Sequence, residues 1–345
     1  MKIIQIAGID IDLHWTFLVL LALILITGSL DEVAIVLVLF ASVVLHELSH
    51  SLVARFYKIN VRRIVLLPIG GMSMIDEFSM PAHTELMVAA AGPAFSFALA
   101  ASAYLIASIS PFPDVTAFAG FVGDANLILC VFNLIPAIPM DGGRVWRALR
   151  QRKRSFLAAT KEAVALSRSI VFILLTIAFL VAILFDAWSF LFWNGLIALF
   201  VYFGSGMELD AALFKTASEG ITVRDAMRRE ITCAGSEDTL LDAFELACGA
   251  KARNILLISR HGFGVVPLGA FATVPHSEWG RMRLKSIATV TLRCSPGDDV
   301  LSVWKKMRAH HVELAPVMEK KKLIGVISEA DIERLIYLKR LALIS

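Results

Sequence analysis

Six apolar stretches, at about residues 14–30, 33–57, 85–109, 117–139, 169–185 and 187–206, fill most of the first 206 positions of a 345-residue chain. A hydrocarbon core roughly 30 Å thick is crossed by about 20 apolar residues in helical form, and each stretch comes close to that length. Six membrane spans are therefore expected, the second and fourth interrupted by polar residues. Composition agrees, because 57% hydrophobic and 18% charged residues exclude a wholly soluble protein. The charges are also uneven. Residues 1–206 carry 13 Lys+Arg and 13 Asp+Glu, whereas the shorter remainder carries 20 and 17, so the chain divides into a membrane half and a water-exposed half.

Lys and Arg fall before the first span (Lys2), after the second (Arg55, Lys58, Arg62, Arg63) and between the fourth and fifth (Arg144 to Arg154, Lys161, Arg168). The other three loops have none, so the positive-inside rule puts the N-terminus and the C-terminal half in the cytoplasm of a multi-pass plasma (inner) membrane protein. No cleavable signal is expected, since the first apolar run lacks a small-residue cleavage site. A net charge of +3 with no polybasic aromatic face excludes nucleic acid as the expected partner. Cys130, Cys233, Cys248 and Cys294 show no paired spacing and read as reduced packing residues.

The second span contains His46-Glu47-Leu48-Ser49-His50. Four residues apart on a helix, the two imidazoles share a face and can ligate one zinc, while Glu47 can serve as general base for the water that the metal activates. Ionisable groups at this depth are expensive unless they face an ion or a polar cavity. A catalytic zinc takes three protein ligands and leaves one position open. The candidate for the third is Asp141, at the end of Asn133-Leu134-Ile135-Pro136-Ala137-Ile138-Pro139-Met140-Asp141-Gly142-Gly143. Pro136 and Pro139 interrupt the helical ladder, which places Asp141 on irregular, solvated backbone. Asn133 is either a substrate contact or a hydrogen bond between helices. Residues 61–74 read as a hairpin around Gly70-Gly71 at the membrane face, whose edge could pair with an extended peptide. His14 and Trp15 read as interfacial anchors, and Asp124 as a wetted carboxylate near the outer surface.

The HExxH, the Asn133…Pro136…Pro139-x-Asp141-Gly142 segment, Ala91-Gly92-Pro93, Gly70-Gly71-Met72 and Gly8-Ile9 to His14 stand in the order of the site-2 protease family of intramembrane zinc metalloproteases, which the membrane half resembles. The resemblance implies zinc bound by His46, His50 and Asp141, with Glu47 as base. Ser96 stands where many members of that family carry Asn, a departure expected to bear on one packing contact.

Beyond residue 206 the chain repeats itself at an offset of 61. Cys233-Ala234-Gly235-Ser236-Glu237-Asp238 aligns with Cys294-Ser295-Pro296-Gly297-Asp298-Asp299. Two units that read strand, helix, strand, strand, helix resemble a tandem pair of CBS domains, an α/β module. The expected division is a membrane-embedded protease domain over 1–206, a polar hinge over 207–220, and CBS domains over 221–280 and 281–345. The resemblance implies an adenine nucleotide (ATP, ADP or AMP) near Ser328 and Asp331 of the Gly325-Val326-Ile327-Ser328-Glu329-Ala330-Asp331 motif, and a homodimer through the CBS domains. The first repeat, after Gly269, lacks a counterpart to Asp331. The expected function is hydrolysis of a peptide bond in a membrane-embedded substrate, either a single-span regulatory protein or a signal-peptide remnant, captured in extended form by Gly70, Gly71, Asn133 and Pro136. The alternatives are a CBS-regulated ion transporter using the His/Asp cluster for metal binding, and a catalytically dead scaffold.

Overall fold

In a computed structural model the chain forms two compact units, Met1–Ala212 and Leu213–Ser345. The structure describes residues 2–67, 70–75, 80–250, 254–259, 262–267, 269–320 and 322–344.

The first unit opens with β1 (Lys2–Ile6) and β2 (Ile9–Leu13), an antiparallel pair turned at Ala7 and Gly8, both at positive φ. Ile9, Ile11 and Leu13 alternate inward along β2, leaving Asp10 and Asp12 on the other face, as a half-buried strand requires. A short apolar helix, α1 (Trp15–Thr27), follows, then α2 (Leu30–Phe56). The expected hairpin is present as β3 (Val61–Leu67) and β4 (Gly70–Ile75), antiparallel to each other. Pro68 and Ile69, between them, lie outside the described residues. Because β2 also runs parallel to β3, one sheet of order β1-β2-β3-β4 results, with β4 on its edge.

Four long helices complete the unit together with one short one: α3 (Ala82–Ile109), α4 (Pro113–Leu134), α5 (Asp141–Arg150), α6 (Phe156–Phe185) and α7 (Trp188–Ser218). Among the described residues five helices are long and apolar enough to cross a membrane: α2, α3, α4, α6 and α7. Phe172, Leu184, Phe185 and Trp193 are exposed on α6 and α7, as lipid-facing side chains are.

Three expectations change. The first span, residues 14–30, is a helix of 13 residues, about 20 Å long and too short for the hydrocarbon core. It stops because the Gly28 N–H turns back to the Ile24 carbonyl and Ser29 caps α2, its Oγ accepting from the Glu32 N–H at 3.3 Å. Residues 207–220, read as a hinge, are helical through Ser218, because Phe214 and Ala217 are apolar and pack in the second unit's core. Asp141 is neither on irregular backbone nor solvated. It is the first residue of α5, and its side chain is only 14% exposed.

The irregular stretch is residues 135–140, with a cis Ile138–Pro139 bond. Its buried Ile138 N–H donates to Ser167 Oγ of α6 at 2.8 Å, which satisfies a group that lipid could not. Any Cβ at Gly142 would lie 2.3 Å from the Leu134 carbonyl oxygen, and one at Gly143 2.4 Å from the Ile138 nitrogen. The two glycines thus let α5 fold tightly against the segment that precedes it.

The second unit contains α8 (Val223–Ala226), β5 (Cys233–Gly235), α9 (Leu240–Ala250), β6 (Asn254–Ser259), β7 (Gly262–Pro267), α10 (Gly269–Thr273), β8 (Thr289–Val290), α11 (Val300–Ala309), β9 (Leu314–Glu319), β10 (Lys322–Ser328) and α12 (Glu329–Ile344). The offset of 61 holds where Cys233 pairs in parallel with Leu256 and Cys294 with Val317. It falls to 60 at the turns, where the Gly235 N–H donates to Asp238 and the Ser295 N–H to Asp298. The cores do not follow the 221–280 and 281–345 division. Ile221, Val223 and Ala226 pack with the second repeat, and Leu284 with the first. Backbone pairing explains this exchange, since Thr222 bridges to Asp299, and β8 pairs with β7.

Candidate metal centre

Two helices of the first unit, α2 and α5, bring His46, His50 and Asp141 together. His46 Nε2 lies 3.1 Å and His50 Nε2 3.2 Å from Asp141 Oδ2, and the two Nε2 atoms are 3.2 Å apart. Both histidines are buried. The His50 Nδ1–H donates to the Val88 carbonyl at 2.7 Å, so His50 Nε2 presents a lone pair to the cluster. His46 Nδ1 meets Ser96 Oγ at 2.9 Å, which holds the orientation of that ring.

The donor set fits zinc. A tetrahedral zinc about 2.0–2.1 Å from each ligand atom keeps those atoms about 3.3 Å apart, close to the three separations present. Two imidazole nitrogens and a carboxylate oxygen at this spacing, with no donor between His50 Nε2 and Asp141 Oδ2, are electron-pair donors that a cation resolves. Among the described residues they form the one group of three or more His, Cys, Asp or Glu side chains close enough to hold a metal ion.

The surrounding backbone is moulded to these side chains. A Cβ on Gly92 of α3 would stand 2.2 Å from His50 Nε2 and 2.5 Å from His46 Nε2, so only glycine lets α3 approach. Glu47 is half-buried, and a Cβ on Gly71 of β4 would lie 2.6 Å from its Cγ. The edge strand therefore passes directly over the stem of Glu47.

The other site residues fall as follows. Gly70 and Gly71 begin β4. Asn133 stands in the last turn of α4, its Nδ2 donating to the Leu129 carbonyl of its own helix at 2.9 Å, and no bond from it to another helix is present among the described contacts. Pro136 is exposed. In the second unit, Ser328 and Asp331 form the capping box that starts α12. The Ser328 N–H and Oγ donate to Asp331 Oδ2 at 3.1 and 2.6 Å, and the Asp331 N–H donates to Ser328 Oγ at 3.2 Å. Arg228 Nε also donates to Asp331 Oδ2, at 2.9 Å.

Three comparisons with known proteins bear on this geometry. The family model for peptidase family M50 matches residues 34–112 and 108–176, and a CBS domain model matches residues 285–338. A zinc metalloprotease of Methanocaldococcus jannaschii is 31% identical over 343 residues, covering 96% of this chain and 95% of that one. The chain belongs to peptidase family M50, the site-2 proteases. Stage IV sporulation protein FB of Bacillus subtilis is 30% identical over 52% of this chain and 62% of its own length. A solved site-2 protease of M. jannaschii is 36% identical, covers 61% of this chain and 94% of that one, and has a TM-score of 0.45. The present chain is thus a multi-pass membrane zinc metalloprotease with a C-terminal CBS region, and the family match favours hydrolysis over the transporter alternative.

Sequence reasoning missed one partner at this centre, and one strand outside it. Ser96 is a partner of His46 and not merely a packing contact. The alternation Ile9-Asp10-Ile11-Asp12-Leu13 carried the signal for β2, which extends the sheet.

Proposed function

We propose that His46 Nε2, His50 Nε2 and Asp141 Oδ2 hold the zinc and that Glu47 is the general base. The observation that carries this reading is the convergence of the three atoms to within 3.2 Å of one another beside Glu47. Bound there, zinc supplies Lewis-acid chemistry, polarising the scissile carbonyl and making a water acidic enough to attack near neutral pH. Glu47 takes the proton from the attacking water on its carboxylate and delivers it to the departing amine. Val88 and Ser96 keep the imidazoles turned so that both Nε2 atoms face the same point.

The substrate is a single-span membrane protein or a signal-peptide remnant, bound in extended form. A peptide that pairs with the edge of β4 at Gly70 and Gly71 runs past Glu47, since the Gly71 backbone packs on that side chain. Asn133, in the last turn of α4, and Pro136, between α4 and Asp141, hold the same peptide near the metal. A helical substrate has its carbonyls engaged and must unwind there first.

Residues 1–206 act as the protease domain and the C-terminal unit as its regulator, binding an adenine nucleotide at Ser328 and Asp331 and dimerising through the CBS pair. The distribution of Lys and Arg supports a plasma-membrane protein with the N-terminus and the CBS pair cytoplasmic. Zinc content of the purified protein tests the ligand set. Asp141→Ala leaves two protein ligands and loses stoichiometric zinc; full occupancy in that variant would place the third ligand elsewhere.

A further inference from the structure

Glu85, Val88, Gly92 and Ser96 follow one another on α3 at spacings of three, four and four residues, which puts them on one face of the helix. Three of the four meet the metal-site histidines: the Val88 carbonyl accepts from His50, Gly92 lies against both Nε2 atoms, and Ser96 meets His46. The fourth reaches α5 instead. Arg147, a buried residue of α5, donates from Nε to Glu85 Oε1 at 2.6 Å and pairs with the same oxygen through Nη2 at 2.5 Å. Gln151 Nε2 donates to Glu85 Oε2 at 2.6 Å, so both carboxylate oxygens are tied to the end of α5. Arg147 Nη1 separately donates to Glu208 Oε1 of α7 at 2.6 Å, and its guanidinium lies over the Phe156 ring.

We propose that Arg147, held by Glu85, is a positioning residue for the metal centre: it fixes the helix that begins with Asp141 in register with the helix that orients both histidines. The inference rests on the reading that His46, His50 and Asp141 hold zinc. A helix of ten residues has little direction of its own, and α5 takes its orientation from its attachments. At its start Gly142 and Gly143 seat it on the preceding backbone, which leaves rotation about its axis to be set further along, at Arg147. A roll of about 10° moves an atom at the outer helix radius of about 5 Å by about 0.9 Å. Metal–ligand distances tolerate about 0.2 Å. Two guanidinium nitrogens converging on Glu85 Oε1, with Gln151 on Oε2, suppress such a roll, and a lysine ammonium does not reproduce that planar pair of donors.

The test uses the full chain purified in detergent, with zinc affinity measured by chelator competition and the ligand field read from the visible absorption of the cobalt-loaded protein. Glu85→Gln and Arg147→Lys should weaken zinc about tenfold and alter the cobalt spectrum. Gln151→Leu, which removes one tie to Glu85 without leaving a buried charge, should do the same to a smaller degree and keeps the test open if the charged variants fail to fold. Glu208→Gln neutralises the α7 carboxylate that pairs with Arg147 and also faces Arg144, and leaves the Glu85 tie intact; it should leave affinity within twofold and the spectrum unchanged. Wild-type zinc affinity and spectrum in the folded α3 and α5 variants would overturn the inference, as would an equal loss in Glu208→Gln, which marks general loosening. A wild-type protein that binds no stoichiometric zinc would instead overturn the reading of the site on which the inference rests.

Discussion

Replacing Gly92 by Ala should separate metal binding from folding. Alanine is favoured over glycine in a helix interior by about 1 kcal/mol, so α3 itself gains stability. The added methyl would stand 2.2 Å from His50 Nε2 and 2.5 Å from His46 Nε2, where ordinary contact needs at least 3.4 Å. The two imidazoles must then retreat by about 1 Å, several times the roughly 0.2 Å that a metal site tolerates. Both rings are buried and held at Nδ1, by Val88 and by Ser96, so retreat also breaks those contacts. Zinc affinity should fall by at least 10- to 100-fold, the range typical for disturbing what orients a ligand. Cleavage should fall by at least about 100-fold, the effect of a 1 Å misplacement at a reacting centre. The assay pairs chelator competition with thermal unfolding of the detergent-solubilised protein, with Gly120→Ala as control because no atom lies within 4 Å of a Cβ there. Wild-type zinc affinity in Gly92→Ala would refute the account of how α3 shapes the site.

Ser96→Ala removes the partner of His46 Nδ1 and should lower zinc affinity about 10- to 100-fold with little loss of helix content, as chelator competition and circular dichroism would read. In the second unit, calorimetry of the full chain should detect an adenine nucleotide, and Asp331→Ala should weaken it at least tenfold. Because Asp331 also caps α12, Asp331→Asn is the companion that keeps a side-chain acceptor, and no heat with ATP, ADP or AMP at millimolar concentration would leave a structural module.

Local signals carried the chemistry. His46, Glu47 and His50 lie within one turn and a half of one helix, so the histidine pair was legible from spacing, and the two prolines marked the departure from helix just before Asp141, which the structure brings beside them. What the spacing could not give was the partner side. Glu85 and Arg147 are 62 residues apart, His46 and Ser96 are 50 apart, and neither pair has a local pattern to mark it. Helix ends were also poorly legible. An apolar run measures hydrophobic length, and α1 was cut short by Gly28 and the Ser29 cap inside that run. At the other end of the membrane half, α7 continued beyond its apolar run because Phe214 and Ala217 had a second core to enter. The repeat was visible, but the exchange of Ile221 and Leu284 between the two CBS cores depends on strand pairing across distant segments.

The central claim, that Glu47 acts as base beside a zinc held by His46, His50 and Asp141, is tested most directly by Glu47→Gln. Glutamine keeps the shape of glutamate and leaves all three ligands in place, but it cannot take a proton. Zinc content and cleavage of a single-span substrate in detergent should be measured on the same preparation, beside the wild type. The account predicts one zinc per chain in both proteins and a loss of cleavage of several orders of magnitude in the variant. Undiminished cleavage by zinc-loaded Glu47→Gln would contradict it.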